Sequence, residues 1–387
     1  MTSLLSAASL SATSPLLARQ GAVPAEGPDA SVAWHYGDPT AEQRALESGR
    51  AVVDQSHLGI VTVTGPDRLT WLNSLSSQEV ASLAPGVSTE LMILSPQGRI
   101  EHVAAAVDDG ETAWLITETA VGLAAHLDRM RFMLRVEVAD VTADWAAIGE
   151  PASVPDKNGA VTWVDPWPHV GAGGTSYAPA DAAPGEAREW RLVLVPRGDL
   201  DAEVDARLAA GATLAGTWAT EALRIAAHRP RAATEVDETS LPHELDWLRT
   251  AVHLHKGCYR GQETVAKVHN VGRPPRRLTL LHLDGSGADL PSLGATVTLP
   301  GSDAPVGRVT SVSRHHELGP IALAVLKRST DPSATLMVVG DDGPIDASQE
   351  VIVNADGFSA NRPPKPGPTT KGLLMGKGCA ADGGDME

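Results

Sequence analysis

Reactive side chains in this sequence concentrate in Lys256-Gly257-Cys258-Tyr259-Arg260-Gly261-Gln262-Glu263-Thr264. A sulfur lies between two glycines, residues that let backbone approach a ligand closely. From Lys256 to Arg277 there are six basic side chains (Lys256, Arg260, Lys267, Arg273, Arg276, Arg277) against one acid, Glu263, in a chain whose formal net charge is −17. Basic surroundings lower a thiol's pKa and favour the thiolate, the form that reacts and ligates metals. They also suit an anionic ligand. The opposing reading is that Cys258 is a small buried hydrophobe, and spacing alone leaves both open. The pattern His253-x-His255-x-x-Cys258 is not a standard zinc spacing and has no fourth ligand nearby. A cluster on one cysteine lacks the roughly four thiolates such clusters take. No stably bound metal is therefore expected. Lys377-Gly378-Cys379 repeats the triplet and reads as coincidence in a tail.

The elements that must hold this segment mix strands and helices without βαβ alternation, which favours α+β. Ile60–Val63 reads as a strand, Gly65-Pro66-Asp67 as a turn, and Leu69, Leu72 and Leu75 as a helix face. Leu91–Leu94, Pro96-Gln97-Gly98 and Val103–Val107 read as strand, turn and strand. Pro151–Gly185 marks a domain transition. The helix 218–228 puts Glu221 and Arg224 one turn apart, where they could line a site or pair with each other. Arg229–His255 has little periodicity, and long irregular connections are often functional. From Leu278 onward short strands alternate with turns, which predicts a small all-β barrel or sandwich. His315-His316-Glu317 falls between two of these strands and reads as an exposed loop.

A length of 387 residues with 42% hydrophobic content allows two or three buried cores. The acidic balance argues against nucleic acid and anionic membranes, and no apolar run approaches the ~18 residues of a membrane span. Two cysteines make no disulfide framework. The first thirty residues are rich in Ser, Ala and Leu but have no basic start, their first charge being Arg19. They read as a disordered leader of a cytoplasmic protein.

Lys256–Glu263 resembles the K-G-C-[FY]-x-G-Q-E motif of the YgfZ family, folate-binding proteins of iron–sulfur cluster assembly or repair and paralogues of the glycine-cleavage T-protein, an aminomethyltransferase. Asp54-Gln55-Ser56-His57-Leu58-Gly59, Val63–Arg68, Leu94–Ile100, Glu221–Ile225 with Arg229-Pro230, and Glu235–Glu244 resemble further family segments in the same order, over roughly residues 35 to 355. The resemblance implies a three-domain ring of two α+β domains and a C-terminal antiparallel β-barrel. It divides the chain into a leader (1–33), a ferredoxin-like folate-binding domain (34–150), a second α+β domain carrying the cysteine motif (151–277), the barrel (278–354) and a disordered tail (355–387). It implies tetrahydrofolate or a one-carbon derivative in the central channel, with iron–sulfur apo-proteins or assembly factors as transient partners. Cys258 would be the reactive or ligating thiol. Lys256, Tyr259, Arg260, Gln262, Glu263, Arg273, Glu221, Arg224 and Glu101 would contact the cofactor or hold its loop. The aminomethyltransferases carry an acidic pair after the glycine of the strand–turn segment. Here Gly98-Arg99-Ile100 leads to Glu101-His102, so the aspartate is absent. An accessory factor is therefore expected, with a Glu101-dependent aminomethyltransferase or demethylase and a non-catalytic scaffold as the alternatives.

Overall fold

The computed structural model describes residues 13–154, 159–180, 188–286, 290–340 and 343–364. Runs of β-branched and aliphatic residues build two five-stranded sheets and a closed six-stranded barrel, the expected α+β and β-barrel composition. The first sheet is antiparallel and orders Ser88–Leu94, Ile100–Asp108, Thr112–Thr117, Gly59–Thr64 and Glu137–Asp140. Alternation along Gly59–Thr64 sends Val61 and Val63 to one face, under Leu123 and Leu127 of the helix Ala120–Met130. Ile60 faces the other way, with Val107, Trp114 and Ile116, and packs on Val53, Ala147, Leu192 and Leu194 of the second sheet.

That second sheet orders Thr162–Val164, Trp190–Pro196, Trp145–Pro151, Ala51–Asp54 and Thr213–Ala215. Its membership corrects the expected boundary at residue 150, because Ala51–Asp54 and Trp145–Pro151 come from the stretch assigned to the first domain. Pairing of Val53 and Asp54 with Gly149 and Ile148 draws the chain back, so the domain is discontinuous.

The leader also needs correcting. Residues 1–12 lie outside the described residues, but 13–33 are ordered, because Leu16 is fully buried against Val52, Ile148 and Val193. Asp29 from this stretch is buried as well. The expected disorder of 355–364 fails in the same way: the guanidiniums of Arg273 and Arg362 lie 4.4 and 4.1 Å from the Phe358 ring centroid, and Ser359 is buried. The rest of that tail, with Cys379, lies outside the described residues.

Sheets and barrel meet through the irregular connection after Arg229. Leu245, Trp247, Leu248, Ala251 and Val252 pack between Met92 and Val103 of the first sheet and Leu278, Leu280 and Leu323 of the barrel. Irregular backbone can be buried here because its polar groups are met: Gly171 N–H donates to Arg249 O and Thr175 N–H to Leu248 O. His243 is fully buried in this seam, with Nε2 3.1 Å from the Val265 carbonyl and its ring edge-on to Tyr177. Burial pushes its imidazole down to about 3. The unfolded chain takes up a proton near pH 6.5 and the folded chain does not, so this contribution is complete above 6.5 and declines as pH falls towards 3. We expect stability to fall between pH 6.5 and 5 by up to about 1.4 kcal/mol per pH unit from this residue alone. His243→Asn should reduce that slope in urea titrations across the range. An unchanged slope would show that His243 is not the group responsible.

Candidate functional site: a cavity walled by paired charges

A cavity of about 160 Å³ lies where the two sheets meet the helix Thr217–Ala226 and the start of the long connection. Trp163, Trp190 and Trp247 supply aromatic wall. Five carboxylates (Asp29, Glu90, Glu118, Asp165, Glu221) and four guanidiniums (Arg188, Arg224, Arg229, Arg231) line it, with His57. Every guanidinium already has an acid. Arg224 forks onto Glu221 at 2.9 and 2.7 Å and reaches Glu235 at 3.1 Å. Arg231 bonds Asp29 at 2.9 Å, Glu221 at 3.2 Å, and Glu118. Arg229 bonds Glu90 at 2.8 Å and Asp165 at 3.2 Å, and Arg188 shares Asp165 at 3.2 Å. Burial alone would raise the Asp29 carboxyl, but Arg231, His57 and Arg224 outweigh it and hold it at about 2. Burial likewise opposes ionisation of Glu221, and Arg224 with Arg231 reverses the shift to below the usual carboxylate range. Burial pulls Arg188 down to about 10, Asp165 offsetting only part of the cost.

Four cavity-lining residues from three parts of the chain carry buried polar atoms with no partner among the described residues. They are Gln55 Nε2, His57 Nδ1, Thr217 Oγ1 and Trp247 Nε1. Buried polar groups are nearly always paired, so these four atoms leave hydrogen-bonding capacity at the wall of one cavity. His57 holds Asp29 at 3.2 Å through Nε2. Paired guanidiniums and aromatic walls suit a flat, uncharged, hydrogen-bonding ring better than a phosphate. About 160 Å³ is well under the ~300–1,000 Å³ of sites that engulf a drug-sized ligand, so the cavity matches one ring system.

Of the residues expected to bind the cofactor, Glu221 and Arg224 line this cavity, and they also pair with each other. The octapeptide and Glu101 do not line it. Lys256 Nζ donates to three carbonyls, of Asn73, Ser76 and Gln78, at 2.6, 2.8 and 2.5 Å, tying its loop to the end of the helix Arg68–Leu75. Burial lowers its ammonium to about 8. Tyr259 is buried in the seam between sheet and barrel. Gln262 Nε2 donates to Lys256 O at 3.4 Å and closes the loop on itself. Arg260 and Glu101 form a half-exposed ion pair at 3.0 Å. Glu263 is exposed in the first turn of the helix Gln262–Asn270, where an acid complements the helix dipole. Arg273 covers Phe358 at 4.4 Å.

The expected cationic patch is thus linear only. Arg276 pairs with Asp237 and Glu244 at 2.6 and 2.7 Å, and Arg277 bonds Thr279, Thr330 O and Gln349. Cys258 is exposed, not core, and its sulfur is disulfide-bonded. Sequence reasoning missed Asp29, Glu90, Glu118, Asp165, Arg188 and Arg231. The available signal was the cluster of arginines at 224, 229 and 231 beside a helix, since buried guanidiniums require acids from elsewhere.

Residues 15–149 match the GCVT N-terminal domain. A chloroplastic protein of Arabidopsis thaliana named as a transferase is 25% identical over 311 residues, 77% of this chain and 70% of its own. A mitochondrial iron–sulfur cluster assembly factor IBA57 homolog from Cryptococcus neoformans is 25% identical over 258 residues, 59% of this chain and 65% of its own. An aminomethyltransferase of Rubrobacter xylanophilus is 26% identical over 329 residues, 78% and 83% of the two chains. Among solved structures, the glycine cleavage system aminomethyltransferase T of Bartonella henselae superposes with a TM-score of 0.69 over 88% of this chain and 95% of that one, at 14% identity. No helix among the described residues is long and apolar enough to cross a membrane. The chain carries a match to the GCVT N-terminal domain at residues 15–149 and has the fold of aminomethyltransferase T.

Proposed function

We propose that the chain binds a reduced folate, tetrahydrofolate or a one-carbon derivative, and acts as an accessory factor in iron–sulfur cluster assembly or repair, on the YgfZ side of its relatives. Four unmet polar atoms around an aromatic-walled cavity carry the folate part. A pterin ring is flat, uncharged and edged with donors and acceptors, and Gln55, His57, Thr217 and Trp247 would hold it. Relatives named as IBA57 homologues support the cluster part. The accessory reading is preferred over turnover because Glu101, the one acid near the expected catalytic position, pairs with Arg260 outside the cavity. Iron–sulfur apo-proteins or assembly factors would meet the exposed Cys258 loop, in the cytoplasm.

Titrating tetrahydrofolate against tryptophan emission tests the folate part, since three tryptophans line the cavity. We expect saturable quenching. Gln55→Leu with Thr217→Val should weaken it by roughly 10-fold or more, at about 1 kcal/mol per lost hydrogen bond. Cys258→Ala should bind folate normally but lower the activity of cluster-dependent enzymes in cells. No saturable response would remove the folate reading; wild-type cellular activity of Cys258→Ala would remove the thiol.

A further inference from the structure

Of the three residues read as an exposed loop, His315-His316-Glu317, only Glu317 is exposed; both histidines are withdrawn from solvent at a joint between barrel and helix. His315 ends the strand Pro305–His315, and the His316 side chain is 3% exposed. Both rings stack, with centroids 4.6 Å apart and planes 28° apart. Opposite them stands Glu47, the last residue of the helix Pro39–Glu47, whose carboxylate is 3.0 Å from His316 Nε2.

We propose that Glu47, His315 and His316 form a binding site for a first-row divalent transition cation, Zn²⁺ being the reference, which pins the barrel to the helix Pro39–Glu47. Each residue presents one donor atom, and the three lie within 4.8 Å of one another. In a tetrahedral shell with bonds of about 2.0–2.2 Å the donors stand roughly 3.3–3.6 Å apart, so the widest pair closes by about 1 Å through side-chain rotation. Two imidazoles and a carboxylate are a donor set such cations accept, with remaining positions left to water. Room for that water exists: a cavity of about 320 Å³ adjoins the site, lined by Pro39, Gln43, Trp218 and the histidines.

Two further observations point to a ligand. His316 Nδ1 is buried without a partner among the described residues, so this ring is not satisfied by protein alone. The backbone on either side of His315 is held in place by Gln43, whose Nε2 donates to Arg314 O at 3.0 Å and whose Oε1 accepts from His316 N–H at 2.9 Å. Ligands presented on fixed backbone lose less entropy on binding. The lone pair of His315 is marked at Nδ1 by the N–H groups of Glu317 and Leu318, each at 3.2 Å. Those long bonds come from an exposed turn, where water can replace them. The end of a helix also carries partial negative charge that favours a cation. This site departs from the sequence expectation of no bound metal. It involves neither the folate cavity nor Cys258, so it stands or falls separately from the proposed function.

The test uses untagged full-length protein stripped by chelator and titrated with Zn²⁺ in a calorimeter. One equivalent should bind, and Co²⁺ should give a visible d–d spectrum. Thermal midpoint should rise with added Zn²⁺. His316→Ala and Glu47→Gln should each weaken binding by more than about 10-fold, whereas His282→Ala, which alters an ion pair with Glu350 on the barrel, should not. If a variant folds poorly, Trp218 emission in the wild type provides a second reading: Cu²⁺ should quench it saturably. Absence of stoichiometric binding, or wild-type affinity in both His316→Ala and Glu47→Gln, overturns the site.

Discussion

Arg229→Ala should destabilise the protein by about 3–5 kcal/mol, the range for removing one partner of a buried ion pair. Its guanidinium joins Glu90 on the first sheet to Asp165, just after the edge strand Thr162–Val164 of the second, and both acids have side chains only 3% exposed. It also lies 4.9 Å from the Trp167 ring centroid and 6.0 Å from that of Trp247, so the cation is packed between aromatic faces as well as paired. Truncation leaves two carboxylates out of water with one fewer cation; Arg188 still reaches Asp165 at 3.2 Å, but among the described residues Glu90 keeps only neutral partners such as Thr250. Arg229→Lys should fall between wild type and alanine, because an ammonium keeps charge but cannot fork onto Glu90 while reaching Asp165. Adding Glu90→Gln to Arg229→Ala should recover part of the loss, since it removes the stranded charge. Scanning calorimetry of the three variants reads this directly. An alanine variant within about 1 kcal/mol of wild type would mean that the network is wet and screened.

Legibility followed the range of the physical signal. Period-two runs such as Gly59–Thr64 and the short strands after Leu278 are local, and they yielded both the mixed sheets and the barrel. Sheet membership was not local. Ala51–Asp54 reads like any short apolar strand, and only pairing with a strand beginning almost a hundred residues later puts it in the second sheet. The ordered stretch 13–33 was hidden because its Ser/Ala-rich composition resembles a leader, while its order comes from one leucine filling a hole and one aspartate meeting Arg231. At the site, the helix pair Glu221/Arg224 was readable because one turn of helix relates the two residues. Asp29, Glu90, Glu118 and Asp165 were not, since an acid's burial and partner have no sequence signature until the chain is folded. The basic run from Lys256 misled for the converse reason: residues adjacent in sequence were sent to different acids and carbonyls.

Gly261→Val should cost about 3–5 kcal/mol and displace the cysteine loop, because this glycine supports packing and not ligand approach. It stands at φ +85°, where a β-branched residue is strained by about 1–3 kcal/mol. A Cβ there would lie 2.5 Å from the Ser95 carbonyl oxygen and 2.9 Å from Gly98 Cα, and backbone cannot swing aside as a long side chain can; such overpacking adds a further ~1–3 kcal/mol. Gly98, itself at φ +74°, presses from the other side, with Thr264 2.8 Å from its would-be Cβ. Two glycines thus let the hairpin turn of the first sheet touch the start of the helix Gln262–Asn270. Gly257, next to Cys258, has nothing within 4 Å of a would-be Cβ, so Gly257→Ala should be tolerated within about 0.5 kcal/mol, as surface changes usually are. Gly261→Val should also loosen the Arg260–Glu101 pair and the three carbonyl bonds of Lys256, since all hang on the same backbone. Amide hydrogen exchange over residues 256–264 and 73–78 should therefore rise together in Gly261→Val and remain slow in Gly257→Ala. Equal exchange in the two variants would show that the loop is not held by the glycine contact, and that its glycines serve something that binds there instead.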